Sequence, residues 1–168
     1  MNNKGATLLE LVIVLLISSL LVLAMAFQFT ALFFYQKNVL GQINASNDAN
    51  MAMHSMIRIF RYAIPSTVTT TTHTGCVTSI TATIAGPGYL SEITSNTTVT
   101  FGRRADNTFA YFITGGATNV IANNITSFPV SGASWDITNG ELTLRLTATD
   151  AGSRKTSSLE SKVHLLGE

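Results

Sequence analysis

Lys4-Gly5-Ala6-Thr7-Leu8-Leu9-Glu10 opens the most uneven stretch of the chain, and residues 11–27 continue it as LVIVLLISSLLVLAMAF. Ser18 and Ser19 are the only polar side chains in that run. As an α-helix its 17 residues rise about 26 Å, close to the thickness of a bilayer's hydrocarbon core, and residues 6–9 complete a full span. Between Ala6 and Gln36 the only charged side chain is Glu10; Lys4 precedes the apolar run and Lys37 is the first basic residue after it. By the positive-inside rule this placement predicts a cytoplasmic N-terminus, with the rest of the chain across the membrane.

Three readings of this segment compete. A cleaved secretory signal would have Lys4 in its basic region and Ala24-Met25-Ala26 as its small-x-small site, cut before Phe27. A plain membrane anchor needs only the apolar length. Neither gains anything from Glu10, although a carboxylate placed centrally in a bilayer costs roughly 2.5–3.5 kcal/mol, and somewhat less near an edge. The third reading gives that carboxylate a partner. The stretch from Lys4 to Leu15 resembles the leader of type IV pilins and type II secretion pseudopilins: a short basic leader ending in Gly, a cut after it, and Glu as the fifth mature residue. The resemblance implies prepilin peptidase cleavage between Gly5 and Ala6, N-methylation of Ala6, and an assembly role for Glu10. It departs from the family's usual pattern in two places. Ala6 stands where Phe or Met is usual, and no Pro occurs before Pro65, where major pilins usually carry one some twenty residues into the mature helix. Within one helix the new amine at Ala6 would sit four residues from Glu10, roughly 6 Å along the axis. A neighbouring subunit shifted by one step could present its amine instead, which in the family is the proposed register device.

Composition sets the frame. The chain has 168 residues, 46% hydrophobic and only 11% charged, less than half the usual share of about 25%. A formal net charge of +1 offers no basic excess to coat a phosphate backbone, so no nucleic-acid partner is expected. A mean hydropathy of +0.31 argues against disorder, and the single cysteine, Cys76, excludes an internal disulfide framework. Low charge suits a subunit that buries much of its surface against neighbours. It equally suits a Thr- and Asn-rich exported domain kept soluble by hydroxyls and amides.

Beyond the apolar run the helix is expected to continue to residue 64. Gly41 and the Asn-rich residues 44–50 weaken its middle. Met53, Met56, Ile57, Phe60, Ala63 and Ile64 then restore an apolar face at three- and four-residue steps, and Pro65 ends it. After Pro65 the character changes to strands, and Thr, which occurs 24 times in the chain, dominates with Ser, Asn and Gly. Residues 67–74 read as a loop or edge strand. Strands are expected at residues 77–85, 97–103, 109–114, 120–122, 125–130, 141–149 and 159–166, with a turn at Gly86-Pro87-Gly88. Ile80, Ala82 and Ile84, and Leu142, Leu144, Leu146 and Ala148, are the inward candidates. The expected fold is therefore α+β: a long N-terminal helix packed on an antiparallel β domain, the pilin architecture. Residues 56–64 and the closing strand–loop–strand pattern also resemble J-type pseudopilins and W-type minor pilins. That group usually finishes in Arg-Asn, whereas this chain finishes Leu166-Gly167-Glu168.

No catalytic constellation accompanies this frame. His54, His73 and His164 are far apart, and His73-Thr74-Gly75-Cys76 supplies two of the three or four ligands that zinc requires. Asp106, Asp136, Glu141 and Asp150 lie near turns without the ordered spacing of a calcium loop, so solvated loop acids are the better reading. Cys76 is expected to be buried. No catalytic residue, metal or cofactor is expected. What the resemblance implies is a structural subunit, a minor one by the J-type and W-type likeness, of a type IV pilus or type II secretion pseudopilus, with residues 1–5 as leader, 6–64 as helix (6–28 spanning the inner membrane) and 65–168 as an extracytoplasmic β domain, drawn from the membrane into a periplasmic or cell-surface filament. Its expected partners are other pilin or pseudopilin subunits, prepilin peptidase, an inner-membrane assembly platform and the lipid bilayer. The alternatives are a major or competence pilin, or an exported binding domain behind an ordinary signal peptide.

Overall fold

The computed structural model describes residues 7–71, 73–85, 97–116, 118–128 and 140–166. The turn at Gly86-Pro87-Gly88, Asp136, residues 129–130 of an expected strand and the Gly167-Glu168 end lie outside them. Among the described residues one α-helix, α1 (Leu8–Phe60), and a short 3-10 turn, Pro65–Thr67, are followed by eight strands: β1 (Thr69–Thr71), β2 (Cys76–Ile84), β3 (Thr97–Arg104), β4 (Phe109–Ile113), β5 (Thr118–Ala122), β6 (Ile125–Ser127), β7 (Glu141–Thr149) and β8 (Thr156–His164). They form two antiparallel sheets, ordered β1-β2-β3-β4-β5 and β6-β7-β8. The chain divides into two compact units, Met1–Val39 and Leu40–Glu168, and the second takes in the last part of α1 together with both sheets.

The weak middle expected near residues 41–50 is unbroken helix. The reason is a stripe of small residues at helical spacing. Gly41, Ala45, Ala49 and Ala52 are all buried, while Gln42, Asn44, Asn47 and Asn50 face outward. Poor intrinsic propensity is overridden by packing of one face, which is where most helical stability in proteins arises. Met53, Met56, Ile59 and Phe60 extend the buried face, and Phe60 is fully covered.

Sheet alternation supplies the other side of the core. Ile80, Ala82 and Ile84 of β2, Val99 and Phe101 of β3, and Leu142, Leu144, Leu146 and Ala148 of β7 join the helix residues in one cluster. A chain of rings runs through it: Phe60 to Phe101 at 5.0 Å, Phe101 to Phe109 at 6.1 Å, and Phe109 edge-on to Phe128 at 4.7 Å. Such pairs contribute about 0.5–1.5 kcal/mol each beyond their area burial. Phe128 follows β6, so the chain of rings crosses from the helix through the first sheet to the second.

The helix ends at Phe60, four residues before the expected limit. The Ala63 N–H donates to Phe60 O at 2.9 Å, tightening the last turn, and the strand end of β2 then captures the chain. Ile64 donates to Thr83 O at 2.9 Å and Ala85 donates to Tyr62 O at 2.8 Å, with Ala63 bridged to Ile84. Ile64 is extended (φ −74°, ψ 119°), as a residue before proline tends to be. Pro65 thus acts one step earlier than its own position. The Leu166 N–H closes the same corner by donating to Arg61 O at 2.7 Å.

The β7–β8 turn seats against the helix. Asp150 Oδ2 accepts the Ser153 N–H at 2.7 Å and the Ser153 hydroxyl at 2.9 Å, and Gly41 approaches this turn closely. A Cβ on Gly41 would overlap Ser153 Oγ and Cβ and come within 2.9 Å of Asp150 Oδ2. A second tie joins Asn124 Nδ2 to Asp48 Oδ2 at 2.9 Å, with Asn124 at φ 59°.

Helix propensity alone would have Gly41→Ala stabilise by about 0.5–1 kcal/mol. The overlap with Ser153 reverses the sign: we expect a loss of about 1–3 kcal/mol, read as a lower thermal midpoint by near-UV circular dichroism. Gln42→Ala should change stability by no more than about 0.5 kcal/mol. The Asp150 carboxyl is held below the ordinary range by the Ser153 N–H and hydroxyl, with smaller help from Gly152 and Asn44. A lowered folded pKa stabilises the fold above the unfolded value, and that contribution disappears as pH falls through the folded one. The midpoint difference between the native chain and Asp150→Ala should therefore be largest near neutrality and vanish in acid.

Candidate functional site

Thr7 sets the start of α1. Its carbonyl accepts the Leu11 N–H at 3.2 Å, and its hydroxyl accepts the Glu10 N–H at 3.3 Å. Thr7 is the N-cap and Glu10 the third helical residue, the Thr-x-x-Glu spacing of a capping box, with the Thr half of the box formed. A carboxylate here also opposes the positive end of the helix dipole. This local role of Glu10 escaped the sequence reading, although Thr7-Leu8-Leu9-Glu10 carried its signal.

From Thr7 to Leu40 every residue is exposed, and the apolar side chains cover all sides of the helix. A helix apolar all round requires an apolar surrounding, either a membrane or other helices. The hydroxyls of Ser18, Ser19 and Thr30 are already satisfied within the helix. Ser18 Oγ donates to Val14 O at 2.7 Å, Ser19 Oγ to Leu16 O at 2.8 Å and Thr30 Oγ1 to Ala26 O at 2.9 Å. Such bonds let a hydroxyl enter hydrocarbon without an orphaned donor. Glu10 is left as the one charged side chain between Thr7 and Gln36. The helix is long and apolar enough to cross a membrane.

Gly5 and Ala6, the expected cleavage pair, lie outside the described residues.

Several other titratable side chains among the described residues make local contacts. His73 stacks on Phe112 with ring centroids 4.4 Å apart, and its Nδ1 lies 3.0 Å from Thr74 O. Cys76 is buried against Gly102, and burial pushes its thiol pKa up while the nearby Arg104 charge pulls it down. Asp106 accepts the Thr108 hydroxyl at 2.7 Å and the Thr108 N–H at 3.0 Å, which hold its carboxyl below the ordinary range. It shapes the β3–β4 turn as Asp150 shapes the β7–β8 turn. His54 lines a groove of about 420 Å³ with Ile57, Arg58, Arg61 and Tyr62. Among the described residues, no three of His, Cys, Asp or Glu come together as a metal site.

Residues 1–26 match the family profile described as the prokaryotic N-terminal methylation motif. No curated protein and no solved structure matches the chain. The matched residues contain the Gly5-Ala6 pair, the Thr7 cap, Glu10 and most of the apolar run. The motif points to a structural protein, and it implies processing by prepilin peptidase and assembly with other pilin subunits. Carried on a long apolar helix packed on antiparallel sheets, it supports placing the chain in the type IV pilin and pseudopilin superfamily.

Proposed function

We propose that the chain is a minor subunit of a type IV pilus or a type II secretion pseudopilus. The observation that carries this reading is Glu10: one carboxylate on an exposed, otherwise uncharged apolar helix, inside the matched methylation motif. Prepilin peptidase cuts between Gly5 and Ala6, and Ala6 is N-methylated. Before assembly, residues 6–28 hold the chain in the inner membrane as a single pass, with the N-terminus cytoplasmic and residues 65–168 on the far side. An assembly platform then draws the subunit out of the lipid into a filament on the periplasmic side or at the cell surface. The apolar helix exchanges lipid for neighbouring helices, and Glu10 pairs with the N-terminal amine of an adjacent subunit. Pairing supports ionisation of a carboxylate that would otherwise be costly in an apolar core. The minor role, J-type or W-type, is supported by the likeness at residues 56–64, by the closing β7–β8 hairpin and by the lack of a Pro before Pro65.

Glu10→Val separates this reading from a plain anchor. We expect normal leader cleavage and membrane insertion, with incorporation into filaments lost, measured by immunoblot of sheared filament fractions against whole membranes. Unchanged incorporation would contradict the assembly role of Glu10.

A further inference from the structure

His54, Arg58 and Arg61 follow one another at four- and three-residue steps at the end of α1, so they share one face of the helical turns. All three are exposed, on the side away from the buried Met53, Met56 and Phe60. They rim the groove of about 420 Å³, whose apolar part is the half-buried Ile57 and Tyr62. Leu166, 57% exposed, stands beside it, held by the bond from its N–H to Arg61 O. Among the described residues no carboxylate lies within salt-bridge distance of Arg58 or Arg61.

Local structure does not use these cations. Arginines near a helix C-terminus often bond its last carbonyls. Here the carbonyls of Ile57, Ile59, Phe60, Arg61 and Tyr62 already accept backbone N–H groups. A second copy of the chain is a poor match as well. Its same face would set arginine against arginine. Its described carboxylates beyond the apolar segment are engaged: Asp48 by Asn124, Asp106 by Thr108, Asp150 by Ser153, Glu160 by Arg145, and Glu141 beside Lys162. The complementary charge has to come from a different chain.

We propose that this face docks the helix of a different pilin-type subunit, one that presents two carboxylates three or four residues apart. The inference rests on the filament reading above, in which subunits assemble with their apolar segments parallel. Along α1, Arg58 lies about 6 Å from His54 and about 4.5 Å from Arg61 at 1.5 Å per residue. Carboxylates at i and i+3 or i+4 of a second helix repeat that spacing on one face. A partner helix parallel to α1 therefore meets the arginines with both carboxylates, while both apolar segments enter the same membrane or filament core. Each guanidinium can donate two parallel N–H···O bonds to a carboxylate, which fixes geometry as well as charge. Ile57, Tyr62 and Leu166 supply an apolar centre beside the pairs. Arg and Tyr are among the side chains that dominate binding energy at interfaces.

Photocrosslinking of the full-length chain in its host's envelope tests the docking. Met51 is exposed one turn before His54 on the same face, and Leu16 lies in the apolar segment. Benzoylphenylalanine replaces one or the other, and mass spectrometry identifies each adduct. The Leu16 adduct reports assembly of the apolar helices, and the Met51 adduct reports this face. We expect Met51 to join a different subunit that carries the methylation motif, at a helical peptide with carboxylates three or four residues apart. Arg58→Glu with Arg61→Glu should cut the Met51 adduct about tenfold or more. Exchanging the partner's two carboxylates for arginines should restore it. Because both arginines are exposed, the double variant should keep its thermal midpoint. With the Leu16 adduct present, the proposal would be overturned by a Met51 adduct to a second copy or to lipid, by no Met51 adduct, or by one that charge reversal leaves unchanged. Absence of the Leu16 adduct from the chain with its arginines intact would instead overturn the filament reading, and this inference with it.

Discussion

The close seat of the second half of α1 on the two sheets is the constraint on which the rest of this structure depends. Residues 41–50 would be a poor helix alone, and each sheet alone would leave an apolar face in water. The small residues Gly41, Ala45, Ala49 and Ala52 let the backbone approach closely enough for both problems to be solved at once. Everything that fixes the helix in place converges there: the Asp150–Ser153 turn beside Gly41, the Asp48–Asn124 bond, and the rings from Phe60 to Phe128. The first buried residue of the helix, Gly41, marks the point where its surroundings change.

The same helix carries two different surfaces. From Thr7 to Leu40 it is exposed on every side and almost uncharged. From Gly41 it is one-sided, with polar residues facing water. A segment of the first kind is stable only where hydrocarbon or other apolar helices surround it, and the hydroxyls of Ser18, Ser19 and Thr30 are bonded within the helix as such a setting requires. The helix is thus an anchor at one end and a core element at the other. Glu10 stands out for this reason: it is the single charge on the anchor, close to the capped end.

Much of this was legible in the sequence. The apolar run and the alternation in β2 and β7 each rest on a single short-range rule, and together they point to the α+β class. Met53, Met56 and Phe60 were legible as core because their spacing is helical. The stripe Gly41-Ala45-Ala49-Ala52 was not, because small residues carry little hydrophobic signal and Gly and Asn read as helix breakers. Their helical state is decided by what packs on them, the β7–β8 turn more than one hundred positions away. The division of the strands into two sheets was hidden for the same reason. So was the end of the helix at Phe60, which depends on capture by β2 rather than on Pro65 alone. At the candidate site the Thr7 cap was readable but overshadowed by the intermolecular role given to Glu10.

The most direct test is the intact mass and N-terminal sequence of the chain recovered from its host's envelope. The account predicts a chain that begins at N-methylated Ala6 and retains the whole of α1. A chain that begins at Phe27 would have lost Glu10 and the apolar run, and would contradict the account.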